Sequence, residues 1–147
     1  MVGVQGIQPG VLLARGVCRA LVQYGWAVLT EVTLANGRRA DVLALASNGD
    51  IAIIEVKSSI EDFRADRKWS EYREFCDALY FAVPDGFPTE LIPVECGLIA
   101  ADAFAAEILR AAPIIRLVPA RRKAMTLRFA QLAAQRLQRQ LDPGLGL

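Results

Sequence analysis

The sequence predicts a mixed α/β domain, and three observations support this fold class. An amphipathic segment long enough for one helix comes first. Three strand-length apolar segments follow it, separated by Asn36-Gly37 and Asn48-Gly49, which are typical of β-hairpin turns. A second helical region then leads into another apolar strand, an order that favours a right-handed crossover and parallel pairing. The 147 residues are enough for one such domain with a buried core.

The first helix is expected at about residues 11–24, after Pro9-Gly10 and before Gly25, a residue that commonly ends helices. The next three segments, at about residues 26–34, 38–46 and 51–57, have the alternation or the continuous apolar character of strands. Because the turns between them are short, we expect an antiparallel meander of three strands.

The region from 60 to 76 predicts two short helices, because its apolar residues fall on two different faces. Ser58-Ser59 is expected to cap the first of them and Ser70 the second. A strand at about residues 77–83 follows, and a proline-rich loop then leads to a strand near residues 96–101. The segment 104–117 suits either a short helix or an edge strand, with an extended stretch at its end.

A long C-terminal helix is expected at about residues 120–141, before Pro143-Gly144. Its apolar arc is predicted to consist of Ala130, Ala133, Leu137 and Leu141. Six basic residues and no acidic ones lie between Arg121 and Arg139, so this helix is basic. We expect a single domain over residues 1–147, with a core at about 10–118 and this helix at about 120–141.

The composition excludes several classes of site. There is no histidine, which rules out histidine triads and histidine-ligated metals. The three cysteines are widely spaced, which argues against a disulfide framework and favours a reducing, cytoplasmic setting with the cysteines buried as small apolar groups. The apolar stretches are too short to span a membrane, and residues 1–10 lack the features of a signal peptide.

The candidate site is at the end of the third strand. Side chains alternate along a strand, so Ile53, Glu55 and Lys57 are expected on one face. Asp41 begins the neighbouring strand of the hairpin, and antiparallel pairing can bring it next to Glu55. The plain alternative is an ion pair at the surface, which would contribute little stability.

Two carboxylates and a lysine suit phosphodiester hydrolysis. Asp41, Glu55 and the Val56 carbonyl could hold Mg²⁺ or Mn²⁺ through oxygen ligands. Lys57 could orient the attacking water and stabilise the charge that develops on the phosphate.

The pattern resembles the PD-(D/E)XK nuclease superfamily and, more narrowly, the MmcB-type DNA repair proteins of bacteria. The resemblance extends from about Arg15 to Arg139. The segments that carry it are Arg15-Gly16-Val17, Gly37-Arg38-Arg39-Ala40-Asp41, Glu55-Val56-Lys57-Ser58, Asp62-Phe63-Arg64-Ala65-Asp66-Arg67-Lys68-Trp69, Cys76-Asp77, Tyr80-Phe81-Ala82-Val83 and Ala120-Arg121-Arg122-Lys123-Ala124.

This resemblance implies a restriction-endonuclease-like core of helix, three-strand meander, helix and strand, with a metal-dependent nuclease activity in DNA repair. Asp41 and Glu55 would be the metal ligands and Lys57 the catalytic lysine. Ala40 stands where the motif has proline, and no glutamate in the first helix offers an extra ligand. Glu31, on the first strand, is the substitute that the sequence offers.

The expected partner is DNA, in a cytoplasmic, nucleoid-associated protein. Neither a membrane nor an organic cofactor is expected, and a homodimer or a repair-protein partner is compatible with the sequence. The candidate DNA contacts are Arg15, Arg39, Lys68, Arg121, Arg122 and Arg128.

Two alternatives remain open for the function. The same fold could be a non-catalytic module that binds DNA or a repair partner, and the substrate could be RNA. For the residues themselves, the charged side chains Asp62, Arg64, Asp66, Arg67 and Lys68 suit a solvated helix face, and the basic side chains of the C-terminal helix could also be a solvated surface. Trp69 and Tyr72 suit core packing better than base stacking.

Overall fold

The computed structural model describes residues 6–145 and contains one six-stranded sheet between two layers of helices. The strands follow one another in the sheet in the order of the chain. The elements are α1 (Pro9–Gln23), β1 (Ala27–Thr33), β2 (Arg39–Leu45), β3 (Ile51–Val56), α2 (Ile60–Ala65), a 3₁₀ helix (Trp69–Phe75), β4 (Ala78–Val83), a 3₁₀ turn (Thr89–Leu91), β5 (Gly97–Ala101), β6 (Ala106–Arg110), α3 (Pro119–Leu141) and a final 3₁₀ turn (Pro143–Leu145).

The pairing of the strands makes this a mixed α/β fold. β1, β2 and β3 form the expected antiparallel meander, while β4 pairs parallel with β3 and β5 parallel with β4. β6 pairs antiparallel with β5 at the edge of the sheet. The segment 104–117, which suited either a helix or a strand, therefore supplies an edge strand.

Both predicted hairpin turns are present. Gly37 and Gly49 have φ angles of +84° and +93°, and each preceding asparagine accepts a hydrogen bond from the N–H of the residue after the glycine, at 3.0 Å in both turns. The glycine alone takes the left-handed conformation in each turn, as expected for a three-residue hairpin loop.

The sheet separates two apolar clusters. On one face α1 packs through Leu13, Val17 and Leu21. On the other face the 3₁₀ helix and α3 pack on Leu43, Ile53, Phe81 and neighbouring residues. β3 and β4 are covered on both faces, which explains why their sequences are nearly continuously apolar.

The region between β3 and β4 contains two short helices, as predicted. The Ser59 hydroxyl accepts a hydrogen bond from the Asp62 N–H at 3.1 Å and caps α2. The second helix is of the 3₁₀ type and begins at Trp69, so the prediction that Ser70 caps it was wrong.

The predicted apolar arc of α3 is correct only at Ala133. This partly buried residue packs with Met125, Phe129 and Leu132, the buried residues of the helix, whereas Ala130, Leu137 and Leu141 are exposed. A helical wheel gives only the relative phase of the side chains, and the apolar contacts of α3 end at Ala133, before its last turns. No helix within residues 6–145 is both long enough and apolar enough to cross a bilayer.

Candidate active site at the open end of strands β2 and β3

Asp41 and Glu55 meet where the hydrogen-bond ladder between β2 and β3 stops. The last paired residues of this ladder are Val42 and Ile54. One step further, the Asp41 N–H donates to Glu55 Oε2 at 3.0 Å, and the Val56 N–H donates to Asp41 Oδ2 at 2.8 Å. The two carboxylates therefore accept hydrogen bonds from N–H groups that would pair with backbone carbonyls if the ladder continued.

Glu55 lies in a poor environment for a negative charge. Its side chain is buried, with 3% of the residue exposed. Burial, and in second place the charge of Asp41, raise the pKa of the Glu55 carboxyl to about 8. A cation placed beside Glu55 would favour its ionised form, so a positively charged ligand suits this buried carboxyl.

Tyr72 closes the site on the side of the 3₁₀ helix. Its hydroxyl donates to the Arg39 carbonyl at 3.0 Å, and the residue is buried in the core. Burial and the neighbouring charge of Glu55 raise the pKa of the Tyr72 phenol. Tyr72 and the partly buried Trp69 both pack in the apolar cluster, as the sequence favoured.

Lys57 forms an ion pair that the sequence did not reveal. Its Nζ atom lies 2.7 Å from Asp66 Oδ2, and both side chains are mostly covered. Burial alone would raise the pKa of Asp66, but the hydrogen bond from the Lys57 ammonium group holds it below its usual value. Sequence reasoning assigned Asp66 to a solvated helix face. The sequence feature that could have suggested the pair is the short predicted helix after Lys57, since a short helix allows the chain to turn back toward this lysine.

The predicted donor set for a metal is Asp41, Glu55 and the Val56 carbonyl. Each carboxylate uses one oxygen for a backbone N–H, and the hydrogen bonds of residues 6–145 leave Asp41 Oδ1 and Glu55 Oε1 without such a donor. No group of three or more acidic or cysteine side chains with metal-binding geometry occurs in this part of the chain. A donor set with only two carboxylates suits Mg²⁺, which usually keeps several waters, better than a metal that needs a full protein cage.

A cleft of about 1000 Å³ adjoins Asp41 and Val56. It lies between α1, the ends of β1 and β2, and the segment from 104 to 106. Arg15 and Arg39, two of the predicted DNA contacts, line it together with Arg19. The cleft therefore places basic side chains next to one of the two site carboxylates.

Glu31 lines the same cleft, and its backbone has a φ of +52°. Its Oε1 atom lies 3.9 Å from Arg39 Nη2. Its role as an additional metal ligand stays a prediction.

The other predicted DNA contacts lie away from the cleft. Arg121 stacks over the Phe75 ring at 4.3 Å, and Arg128 donates to the Thr33 carbonyl at 3.3 Å. Lys68 is exposed just before the 3₁₀ helix. Arg122 binds Asp77 through both of its terminal nitrogens, at 2.9 and 2.5 Å. DNA contact by these residues also stays a prediction, and Arg122 has a clear structural role.

Comparison with known proteins gives a family match and a similar solved structure. The family model described as DNA repair protein MmcB-like matches residues 5–144. A solved structure described as SPO1766 protein of unknown function from Silicibacter pomeroyi has a TM-score of 0.91 to this chain and is 50% identical, with 94% of each chain covered. No curated protein matches.

Proposed function

We propose that this chain, which belongs to the MmcB-like DNA repair protein family, hydrolyses phosphodiester bonds of DNA with a divalent cation. The observation that supports this most is the pair of carboxylates at the open end of β2 and β3. Asp41 and Glu55 are linked by backbone N–H groups and have oxygens left for a cation. We include in the proposal that the helix, meander, helix and strand correspond to a PD-(D/E)XK core.

Asp41, Glu55 and the Val56 carbonyl would hold Mg²⁺ or Mn²⁺. When bound, such an ion supplies Lewis-acid polarisation of a phosphoryl oxygen and a more acidic water molecule. The raised pKa of Glu55 fits this assignment, because a neighbouring positive charge stabilises the ionised form that burial disfavours.

Lys57 would act on the phosphate and the attacking water. Its ammonium group is positioned by Asp66, 2.7 Å away. Lys57 comes directly after β3, and its N–H donates to the Ala82 carbonyl of β4 at 2.9 Å. From there it can donate a hydrogen bond to a phosphate oxygen as negative charge increases in the transition state. In this scheme Asp66 is a positioning residue and Tyr72 closes the buried side of the site.

The test is DNA cleavage by the purified chain with added Mg²⁺ or Mn²⁺. Asp41→Asn, Glu55→Gln and Lys57→Ala should each lower the rate by about 100-fold or more, as expected for loss of an electrostatic contact to the transition state. Asp85→Asn, at an exposed aspartate in the loop after β4, is the matched control and should cleave like the wild type. Cleavage that survives in both Asp41→Asn and Lys57→Ala would refute the proposal.

The second candidate is a non-catalytic module that binds DNA. Two features favour it: Lys57 is engaged by Asp66, and burial together with the charge of Asp41 raises the pKa of the Glu55 carboxyl to about 8, which favours its protonated form at neutral pH. This alternative predicts salt-sensitive DNA binding that Glu55→Gln leaves unchanged, and no cleavage with any divalent metal.

A further inference from the structure

We propose that the cleft beside Asp41 binds one unpaired DNA strand, with Arg15 and Arg19 on its phosphates and Phe104 stacked against a base. The inference rests on the proposed function for the choice of DNA as the ligand. It goes beyond that function by naming the form of the DNA and the residues that select it.

The size of the cleft suits a single strand. Its volume of about 1000 Å³ is at the upper end of the range of about 300–1,000 Å³ in which ligand-sized molecules bind. Proteins read intact duplexes with protruding helices or strands that enter a groove. A concave site of this size can instead enclose one or two nucleotides that are not paired.

The charges in the cleft suit a phosphate chain. Arg15 and Arg19 are four residues apart on α1 and both line the cleft. Within residues 6–145 the ion pairs include neither of them, whereas Arg39 lies 3.9 Å from Glu31. Two arginines without carboxylate partners, one turn apart, can contact successive phosphates of a strand that leads to Asp41.

Phe104 provides an exposed aromatic ring in the lining of the cleft. The residue is 66% exposed, and the Arg19 guanidinium lies 6.0 Å from the centre of its ring. Phe104 belongs to neither apolar cluster of residues 6–145, so most of its ring faces solvent. Sites for unpaired strands combine a basic groove with aromatic rings on which bases stack.

The turn that carries Phe104 is held in place. Asp102 Oδ1 accepts hydrogen bonds from the N–H groups of Phe104 and Ala105, at 2.7 and 2.8 Å. The same turn packs directly on α1 at Gly16, where an added Cβ would lie 1.9 Å from the Asp102 carbonyl oxygen. The ring is therefore presented on a fixed support, which reduces the entropic cost of stacking.

The experiment measures the binding of a fluorescein-labelled strand of about 12 thymidines by anisotropy, in EDTA so that no cleavage occurs. The wild type should bind it more tightly than a blunt duplex of the same length. Phe104→Ala should weaken binding by about fivefold or more, the amount expected for one lost base stack, and Phe104→Trp should retain affinity. The double variant Arg15→Gln/Arg19→Gln should lower the slope of log Kd against log salt by about 0.7 per arginine.

Two matched controls separate cleft binding from general surface effects. Tyr24→Ala removes an aromatic ring of similar exposure, 62%, at the C-cap of α1, a residue that does not line the cleft, and Arg139→Gln removes an exposed charge near the end of α3. Both should bind the strand like the wild type. Wild-type affinity in Phe104→Ala and in the double arginine variant, or a preference for the duplex, would overturn the inference.

The outcome is independent of the cleavage test. If the cleft variants lose strand binding but no metal supports cleavage, the nuclease proposal fails and the binding site stands. If the wild type cleaves DNA while the cleft variants bind the strand normally, only the binding inference fails.

Discussion

Glu55 illustrates how one residue can couple the site to the stability of the protein. Its pKa of about 8 in the folded chain is well above the usual value of about 4.5. Between these two pH values the folded state holds a proton that the unfolded chain has released. Stability contributed by this residue is therefore fully present at low pH and is lost as the pH rises toward 8.

We predict that Glu55→Gln removes this pH dependence. The glutamine side-chain oxygen can still accept the Asp41 N–H, but it carries no charge, so the variant should be less destabilised than the wild type as the pH rises from 5 to 8 in EDTA. The difference in the free energy of unfolding between the variant and the wild type should change by at most about 1.4 kcal/mol per pH unit. Urea unfolding at several pH values measures it. Glu90→Gln, at an exposed glutamate, should follow the wild type, and parallel curves for Glu55→Gln would contradict the prediction.

Lys57 shows the limit of reasoning from strand alternation. Alternation places it on the same face as Glu55, and that placement requires only the geometry of a strand. Its partner Asp66 lies nine positions later, beyond α2, and no local pattern connects the two residues. The ion pair forms because the six-residue helix α2 brings the chain back toward Lys57.

At the scale of elements, the contact between α1 and the turn before β6 determines the shape of the cleft. Gly16 allows this contact, because the carbonyl oxygens of Asp102 and Ala105 occupy the positions next to its Cα. Any side chain there must push the turn away, since the three nearest atoms it would meet all belong to the backbone.

We predict that Gly16→Ala destabilises the protein by about 1–3 kcal/mol, the usual cost of overpacking a close contact. Gly10→Ala, in the same helix, is the matched control: an added Cβ meets nothing within 4 Å, so stability should be unchanged or should increase by up to about 1 kcal/mol. Thermal unfolding of both variants measures the difference. Equal melting temperatures would show that the turn can move freely.

At the scale of the whole molecule, Asp77 ties together parts of the chain that are distant in sequence. It precedes β4, is 2% exposed, and accepts hydrogen bonds from the N–H groups of Ile51 and Leu117 at 2.8 Å. It also binds the Arg122 guanidinium at the start of α3. Although burial opposes it, these partners hold the pKa of Asp77 below its usual value, so this contribution to stability is lost in acid.

We predict that Asp77→Ala costs about 3–5 kcal/mol, because it leaves Arg122 and two N–H groups without their acceptor. The control is Asp50→Asn, which removes the acidic partner of the more exposed Arg116 and should cost at most about 1 kcal/mol. Denaturant unfolding of both variants measures this. Similar losses of unfolding free energy in the two variants would contradict the prediction that the contacts of Asp77 contribute more than a surface ion pair.

The order of elements was predictable because its signals are local. The turns at Gly37 and Gly49, the cap at Ser59 and the apolar run of β3 each depend on a few neighbouring residues. The face of α3 was not predictable in this way. Its buried residues, Met125, Phe129 and Leu132, are selected by what lies beneath the first part of the helix.

By itself, the sequence determined the mixed α/β class, the helix and meander with the parallel strand after them, and the placement of Asp41 opposite Glu55, because strand alternation and short turns are local properties of the chain. Only the tertiary structure decided that the β2–β3 ladder ends at these carboxylates, that Lys57 pairs with Asp66, and that Arg15 and Arg19 share a cleft with Phe104. These relations depend on packing between distant segments, and that packing is a property of the whole fold.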